Sequence, residues 1–451
     1  MSNKRPNIVL ITADSVRADR CGFVDESAGT TPVLDRLASR SVVFENAVAP
    51  GPRTPSSVPG IVTGEPMAHA DVDSNSLRSQ VEHIRSHLDR YRTLAEELSE
   101  IGYLTAAYTA NPYTTTHSGF DAGFDVFHSI ESNERSRLGK WGLRFFDGTP
   151  LSVPISQADQ FRRKEKYFSQ WPTLYGKALP TIESMESPYF LWFFLLDPHN
   201  PYLVPRRDRV DSSTLGMYYS VLRGNTNLKH TPSQSSIRPS LPPRVETGLK
   251  RAYNDAVRSV DRFVGVLKRE LASDDPLLVF HSDHGEAFGE HDSYGHQPEL
   301  YEENVHTPLL VHDPTAERPA RVREPVTLRA LPEMLLSRAT DGEGLTSPRW
   351  RSEYVTADTV TGEKVAVRGE RWKYVSTADS EELYDLERDP NERTDVLNRN
   401  PARADELREV LEAYVRDLPD ATDRSTARTA SLYARLRPVS TRGGNDGLIE
   451  L

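Results

Sequence analysis

A carboxylate and an imidazole stand side by side at the end of an apolar run. Asp283 and His284 follow the strand-like residues 276–281, and a glycine comes directly after them. That glycine lets the strand break into a loop, so both side chains can turn toward one divalent cation. Asp14 ends a similar apolar run at residues 6–13. Because strand ends of an open α/β sheet lie along one rim, Asp14, Asp283 and His284 are predicted to share a metal.

Thr54 is the candidate nucleophile. It is followed by Pro55 and leads into a predicted helix that ends near Gly64. The ordinary interpretation is that Thr54 is the N-cap, since Thr before Pro at the first helical position is a common helix start. The catalytic interpretation uses the same geometry. A hydroxyl at a positive helix end, beside a divalent cation, has its alkoxide stabilised and can attack phosphorus or sulfur.

The cation is predicted to be Mg, Mn, Ca or Zn, because carboxylate oxygens and one imidazole form a hard, mixed ligand set. Two more polar residues follow predicted strand ends. Arg17 lies just beyond Asp14, where it either contacts the substrate anion or forms a surface salt bridge. Asn111 follows the strand at residues 105–109 and is expected to reach the same rim as a substrate-binding residue.

The composition argues against a nucleic-acid-binding protein and against a disulfide-linked one. The chain has 451 residues, with 66 acidic and 55 basic side chains and a net charge of −11. An acidic balance opposes general nucleic-acid binding. The single cysteine, Cys21, excludes an intramolecular disulfide and a cysteine-rich zinc site. A strand pattern starts within the first ten residues, so no secretory signal is expected and the protein is predicted to be cytoplasmic.

Strand-like and helical segments alternate along most of the chain. Strands are predicted at residues 7–12, 105–109, 189–196, 277–281 and 308–312, and amphipathic helices at 31–40, 92–101 and 246–271. The run at 189–196 is far shorter than the ~20 residues of a membrane-spanning helix, so no membrane span is predicted. Residues 206–245 are polar and rich in Pro, Ser and Asn, which indicates a surface excursion and a candidate lid.

The alternation predicts an α/β catalytic domain over residues 1–340. Residues 341–420 change to short strands with turns, followed by a helix at 401–418, which indicates a small antiparallel α+β subdomain. Residues 421–451 are a polar C-terminal extension.

Four segments together resemble the sulfatase-like family of the alkaline phosphatase superfamily. They are residues 7–19, residues 54–64, the run Asp197-Pro198-His199-Asn200-Pro201-Tyr202, and residues 282–303 beginning Ser282-Asp283-His284-Gly285-Glu286. Residues 371–386 resemble the small terminal subdomain of the same family. The resemblance implies an alkaline-phosphatase-like fold, with a large mixed central sheet flanked by helices and a small C-terminal α+β subdomain.

The chain departs from the family pattern at the nucleophile. Sulfatases of this family carry a cysteine or serine that is oxidised to formylglycine, in a motif with an arginine four residues later. Here Thr54 stands at the nucleophile position and Val58 at the arginine position. Threonine cannot become formylglycine, so no formylglycine is expected. The paired aspartates are reduced to Asp14-Ser15, and His284 replaces a common asparagine. A Lys-x-His element often seen near Asn111 is missing.

The resemblance leaves two roles open for a pair of histidines. His199 matches a substrate-contacting histidine, and His296 follows in a later loop. In one interpretation a single metal is bound and His199 and His296 contact the substrate or serve as catalytic acids. In the other, Asp197, His199 and His296 form a second metal site like that of two-metal superfamily members.

The expected activity is metal-dependent hydrolysis of a small anionic or glycan-linked ester. With Thr54 as nucleophile, phosphate mono- or diesters are favoured over sulfate esters, as in the phosphodiesterases of the superfamily. Two alternatives are a phosphotransferase that delivers the group to an alcohol and a non-catalytic binding protein with this fold.

Overall fold

The structure, a computed structural model, describes residues 5–73, 76–129, 171–229, 240–316, 318–340 and 342–419. The strands are β1 Ile8–Ala13, β2 Val42–Val48, β3 Leu104–Thr109, β4 Val126–Ser129, β5 Tyr189–Leu195, β6 Leu277–Ser282, β7 Ala287–Phe288, β8 Tyr294–Gly295, β9 His306–His312, β10 Ala320–Val322, β11 Val326–Thr327, β12 Val355–Asp358, β13 Lys364–Arg368, β14 Trp372–Thr377 and β15 Glu381–Asp385. The α-helices are α1 Pro32–Ala38, α2 Thr54–Thr63, α3 Leu77–Leu88, α4 Leu94–Glu100, α5 Trp171–Ser184, α6 Thr214–Lys229, α7 Pro243–Glu270, α8 Glu302–Val305, α9 Leu331–Thr340 and α10 Pro401–Asp417.

A nine-stranded mixed sheet runs through the larger part of the molecule. Its order is β10-β2-β9-β6-β1-β5-β3-β4, with β11 also paired to β2. The central pairs β6-β1-β5-β3-β4 are parallel, whereas β9 is antiparallel to both β6 and β2. Helices cover both faces. This architecture confirms the predicted α/β class with a large mixed central sheet flanked by helices.

The register of the central strands brings their carboxyl ends to one level. Ala13 at the end of β1 is paired with Ser282 at the end of β6 and with Leu195 at the end of β5. Thr109, which ends β3, is paired with Phe194. The residues that follow these strands therefore emerge along a common rim, where the loops of a parallel sheet usually form binding sites.

The central strands are buried on both faces, which is why they are continuous apolar runs. Alternate residues of β1 enter two separate cores, with Val9 and Ile11 on one face and Ile8 and Leu10 on the other. The first face is covered mainly by the long helix α7, whose apolar stripe has helical spacing. Helices α2, α3, α4 and α9 cover the second face.

A buried polar network crosses the sheet beneath the rim. The Trp192 indole donates to Thr12 Oγ1 at 3.0 Å, and Thr12 Oγ1 lies 2.9 Å from His281 Nε2. His281 Nδ1 lies 3.2 Å from the Ser282 carbonyl. Burial lowers the pKa of His281 to about 4, so the neutral tautomer with its proton on Nδ1 completes the chain of donors. The network fixes β6 just before Asp283.

A second, four-stranded antiparallel sheet forms the C-terminal subdomain, with the order β12-β13-β14-β15. Helix α10 packs on it and buries Leu407 and Leu411 against Val365 and Tyr374. These elements lie within the predicted subdomain at residues 341–420. The predicted extension, residues 421–451, lies outside the described residues.

A buried ion cluster joins the subdomain to the catalytic part of the chain. Lys373 on β14 is fully buried, and its Nζ lies 3.0 Å from Glu302 and 2.8 Å from Glu392. Burial opposes the charge of Lys373, but Glu392 and Glu302 outweigh it and raise the pKa of the ammonium group. Since α8 begins at Glu302, the cluster couples the two parts.

We expect Lys373→Met to lower the free energy of unfolding by about 3–5 kcal/mol, because two buried carboxylates lose their cation. Urea denaturation measures the change. The double variant Lys373→Met/Glu392→Gln removes one of the stranded charges and should recover part of the loss. A change below about 1 kcal/mol in the single variant would show that the cluster contributes little.

The excursion predicted at residues 206–245 is more ordered than its composition indicated. Helix α6 occupies Thr214–Lys229 and packs against α7, and residues 230–239 lie outside the described residues. Met217 and Val221 are the buried apolar residues that α6 contributes to the core it shares with α7, whereas Leu215 and Tyr219 are exposed, so the apolar residues of this segment do not form one clear stripe.

Among the described residues, no helix combines the length and apolar character that crossing a bilayer requires.

Candidate active site

Three predicted ligands meet at the rim. Asp14, Asp283 and His284 are fully buried, and their ligand atoms all lie within 4.8 Å of one another. His284 Nε2 is 3.5 Å from Asp283 Oδ2 and 3.8 Å from Asp14 Oδ1. The structure thus brings together residues that are about 270 positions apart in the chain because β1 and β6 are adjacent and in register.

The loops after β1 and β6 are held to each other by short polar contacts. Ser15 adopts a left-handed backbone conformation with φ 62° and donates its N–H to Asp283 Oδ1 at 3.2 Å. Ser282 Oγ donates to the Ala13 carbonyl at 2.6 Å and accepts the Val16 N–H at 2.7 Å. The first contact orients the Asp283 carboxylate, and the other two hold the loops after β1 and β6 together.

Glycine is required after His284. A Cβ atom at Gly285 would lie 2.1 Å from the carbonyl oxygen of Glu303, well inside van der Waals contact. The Gly285 carbonyl also accepts a hydrogen bond from His284 Nδ1 at 2.8 Å. Burial lowers the pKa of His284 to about 4, so the ring is neutral and its Nε2 lone pair faces the two carboxylates.

The two carboxylates have opposite pKa shifts. Burial raises the pKa of Asp283 well above its ordinary value, and the neighbouring charge of Asp14 adds to the shift. Burial also opposes ionisation of Asp14, but His199 and the hydrogen bond from the Ser15 hydroxyl, 2.6 Å from Asp14 Oδ1, outweigh it and lower the pKa of that carboxyl. Two buried carboxylates and a neutral imidazole lone pair form a ligand set that fits one divalent cation.

Thr54 lies beside this cluster, but it is not the helix cap. Helix α2 begins at Thr54, and the N-cap position belongs to Arg53. The Thr54 hydroxyl donates to Asp283 Oδ2 at 2.9 Å and lies 3.4 Å from His284 Nε2. The Thr-Pro pair is compatible with a cap at Thr54 or with a helix that already starts there, and the cap prediction was wrong by one residue.

Asn111 holds Asp14 and Thr54 in place. Its Nδ2 donates to Asp14 Oδ2 at 2.7 Å and to Thr54 Oγ1 at 3.3 Å. Its own Oδ1 accepts the Tyr113 N–H at 2.9 Å, which orients the amide. The predicted rim position is therefore observed, with the amide directed at the metal-ligand cluster.

His199 and His296 line the same site. The His296 ring centroid is 4.9 Å from that of His199 and 4.9 Å from that of His284. His199 Nδ1 lies 2.7 Å from the Asn200 carbonyl, and His296 Nδ1 lies 3.2 Å from Glu286. Burial lowers the pKa of His296 to about 4. Both rings are thus oriented by protein acceptors.

The carboxylate of Asp197 forms hydrogen bonds with the start of helix α5. It accepts the N–H of Trp171, the first residue of α5, at 3.1 and 3.3 Å. Within the described part of the chain, Asp14, Asp283 and His284 are the group of three or more residues close enough to hold a metal. Because the Asp197 carboxylate is occupied by α5, this geometry favours the interpretation with one metal over the one with a second metal at Asp197.

Of the two roles predicted for Arg17, contact with the substrate anion or a salt bridge, the structure shows salt bridges. Its guanidinium pairs with Asp19 at 2.7 Å and with Glu290 at 2.9 Å, and it also donates to the Glu286 carbonyl at 3.2 Å. The arginine is therefore fully engaged within the protein.

Glu286 and Tyr202 are site residues that the sequence prediction did not assign. Glu286 is fully buried beside His296, and burial raises its pKa to about 7, although the charge of His199 opposes that shift. Tyr202 is buried too, and burial together with the charge of Glu286 raises the pKa of its hydroxyl well above the ordinary value. Both lie in motifs quoted for the family resemblance, so their position in those motifs was the available signal.

His291 stabilises the loop beyond the site. Its Nδ1 lies 2.7 Å from Glu303 and its Nε2 lies 3.0 Å from the Glu392 carbonyl, so both nitrogens face acceptors. Burial opposes protonation, but the hydrogen bonds outweigh it and raise the pKa of His291 from 6.5 to about 9.

The pKa of His291 is higher in the folded protein than in the unfolded chain, so protonation of His291 stabilises the folded state. This contribution to the unfolding free energy is fully present below about pH 6.5 and is lost as the pH rises through about 9. We expect the difference in unfolding free energy between the wild type and His291→Gln to shrink over that range. Denaturation curves at ~pH 6 and ~pH 10 measure it. A difference that stayed constant with pH would contradict a charged His291.

Comparison with known proteins gives one consistent family. Residues 6–340 match the family model described as Sulfatase. The chain is 24% identical over 476 residues to an arylsulfatase of Clostridium perfringens, with 90% of this chain and 94% of the relative covered.

Solved structures share the fold. A phosphonate monoester hydrolase of Agrobacterium radiobacter superposes with a TM-score of 0.63 at 20% identity, covering 91% of this chain and 95% of the other. A protein solved in complex with its substrate D-glucosamine-2-N,6-O-disulfate superposes with a TM-score of 0.62 at 15% identity, covering 92% and 98%. The chain belongs to the sulfatase family.

Proposed function

We propose that this chain is a metal-dependent hydrolase in which Thr54 is the nucleophile and phosphate mono- or diesters are the preferred substrates. One observation carries the proposal. The Thr54 hydroxyl lies at the start of α2 and 2.9 Å from Asp283, within the cluster that also contains Asp14 and His284. A nucleophile, a metal-ligand set and a positive helix end are thus gathered at one point.

Sulfatase-family enzymes use a divalent metal, and here Asp14, Asp283, His284 and the Thr54 oxygen would hold it. Mg, Mn, Ca and Zn all accept this ligand set. When bound, such a cation supplies charge that stabilises the threonine alkoxide and the ester oxygens. The contacts from Ser15 and Asn111 keep the carboxylates in position, so little reorganisation is needed on binding.

The reaction follows from the position of the hydroxyl. The Thr54 hydroxyl releases its proton to water and its oxygen attacks phosphorus. The bond from phosphorus to the leaving oxygen breaks, and the phosphoryl group is left on threonine as an ester. Water then cleaves that ester, which releases the acid and restores the hydroxyl. His199 or His296 protonates the leaving oxygen or holds the nonbridging oxygens. Threonine is a secondary alcohol, so the aldehyde chemistry of formylglycine is not open to it.

Steady-state assays on metal-loaded protein test the substrate class. We expect 4-nitrophenyl phosphate and bis(4-nitrophenyl) phosphate to be hydrolysed with higher kcat/KM than 4-nitrophenyl sulfate. A preference for the sulfate ester would reverse the substrate assignment. The assays are repeated with added glycerol, since a phosphoglycerol product would identify a transferase. Bound metal with no turnover of any ester would identify a binding protein.

Active protein is expected to contain unmodified threonine at position 54. Intact-mass measurement, followed by peptide mapping of residues 51–64, checks this directly. An aldehyde at Ser56 or Ser57 in active material would contradict the proposal and restore a formylglycine mechanism.

A further inference from the structure

A small cavity lies against the nucleophile loop. It has a volume of about 80 Å³, and the residues on either side of Thr54, Arg53 and Pro55, both line it. Val72, Pro298 and Val360 form apolar walls, and Glu363 lies at the side of the C-terminal subdomain. The volume exceeds that of two water molecules in the liquid, about 30 Å³ each. The cavity can therefore accept a small organic group beside Arg53 and Pro55, the two residues that flank Thr54 in the chain.

The walls of this cavity are held together by backbone contacts from distant parts of the chain. The Asp358 N–H donates to the Pro50 carbonyl at 2.9 Å, just before the nucleophile loop. The Ala70 N–H donates to the Val360 carbonyl at 3.0 Å. A Cβ at Gly51 would lie 2.6 Å from the Asp358 carbonyl oxygen, so the subdomain approaches this loop as closely as glycine allows. The turn between β12 and β13 is thus a preformed wall.

Arg53 is the charged feature of the cavity that lacks a partner. Its backbone is fixed by Ser56, whose Oγ accepts the Arg53 N–H at 3.3 Å and donates to the Arg53 carbonyl at 2.9 Å. The side chain is half-buried, yet its guanidinium has no hydrogen bond or ion pair with any residue that the structure describes. Glu363, by contrast, already interacts within the protein.

A half-buried guanidinium with no protein partner is costly unless water or a ligand satisfies it. Arg17, the other arginine near the rim, is occupied by Asp19 and Glu290. The arginine position of the family motif is occupied by Val58, which is 1% exposed and packs in the core. Arg53 is therefore a cation available beside the nucleophile to an incoming anion. It also acts on the site, since its charge adds to the burial that lowers the pKa of His296.

Resting on the proposed function, we propose that this cavity is the leaving-group subsite, and that Arg53 selects esters whose small alcohol portion carries its own negative charge. The apolar walls accept the carbon skeleton, and the guanidinium pairs with a carboxylate or second anionic group on it. The subsite is completed by the turn after β12, so the C-terminal subdomain contributes directly to substrate choice.

A matched pair of esters tests the charge. Carboxymethyl phosphate and ethyl phosphate have similar size and differ in the negative charge on the alcohol portion. We expect the wild type to favour carboxymethyl phosphate by about tenfold or more in kcat/KM, mostly through KM, as for one charge-assisted hydrogen bond. Arg53→Gln should bring the ratio close to one, and Arg53→Lys should retain part of the preference.

Two control variants separate charge from shape and from general electrostatics. Arg323→Gln removes the same charge from an exposed position beside Glu45, and the ratio should stay at the wild-type value. Val72→Phe fills the cavity without changing charge, and it should raise KM for both esters. If Arg53→Gln lowered kcat/KM equally for both esters, Arg53 would contact the reacting phosphoryl group and the leaving-group assignment would be wrong.

Binding measurements keep this inference separate from the catalytic one. Calorimetry on metal-loaded Thr54→Ala, with and without Arg53→Gln, reports the affinity for both esters without turnover. Tighter binding of carboxymethyl phosphate that disappears with Arg53→Gln supports the subsite. If the wild type then hydrolysed neither ester, the proposed function would be overturned and the subsite would stand. Equal affinities in the Thr54→Ala background would overturn the subsite alone.

Discussion

Thr54→Val is expected to give a folded, metal-binding protein whose turnover has fallen by at least about 10⁴-fold, the scale of removing a nucleophile. Valine keeps the shape and burial of threonine but has no oxygen to attack the ester. Asp283 keeps two other donors, the N–H groups of Ser15 and His284, so its orientation should survive. Thr54→Ser retains a hydroxyl and should retain substantial turnover.

The same substitution elsewhere in α2 is the control. Thr63 ends the helix, and its hydroxyl donates to the Pro59 carbonyl at 2.8 Å. Thr63→Val therefore changes a hydroxyl in the same helix far from Asp283 and should leave kcat nearly unchanged. Acid-quenched reactions analysed by mass spectrometry should show the ester on Thr54 in the wild type. Retention of more than about a tenth of the turnover in Thr54→Val would end the covalent mechanism.

Asp283→Asn is expected to abolish stoichiometric metal binding, because it replaces a charged ligand at the centre of the cluster with a neutral one. Elemental analysis after dialysis measures the bound ion. Thermal denaturation provides a second readout. At a metal concentration of 100 Kd the wild type gains about 2.7 kcal/mol from binding, whereas Asp283→Asn should show no metal-dependent shift in Tm.

Asp261→Asn is the matched control for the loss of a buried aspartate. Asp261 accepts the N–H groups of Val33 and Leu34 at the start of α1, far from the rim. Its replacement should cost about 1 kcal/mol of stability from the lost cap and leave full metal occupancy. Full occupancy in both Asp283→Asn and Asp14→Asn would refute the assigned ligands.

Much of the site could be predicted because strand ends are visible in the sequence. Strand-like runs of five to eight residues shortly before Asp14, Asp283 and Asn111 indicated strands of an open α/β sheet, whose ends share a rim. The hydrophobic pattern of a few neighbouring residues is enough to show where such a strand ends. The family resemblance added Thr54, which no local pattern distinguishes from an ordinary helix start.

Side-chain direction could not be predicted in the same way. Arg17 and Asp197 both lie at strand ends, yet Arg17 pairs with Asp19 and Glu290, and Asp197 caps α5. The composition of residues 214–229 likewise concealed α6, because packing against α7 overrides its weak pattern.

The sequence by itself indicated five strands of the large sheet, β1, β3, β5, β6 and β9, and placed the candidate ligands at strand ends, since both follow from hydrophobic periodicity over a few residues. It did not indicate β2, β4, β10 or β11. Only the tertiary structure decided that Thr54 Oγ1 meets Asp283 across 229 residues of chain, and that Arg53 faces a cavity built in part by the C-terminal subdomain. The physical reason is that such contacts depend on register and packing between distant segments, which no local pattern encodes.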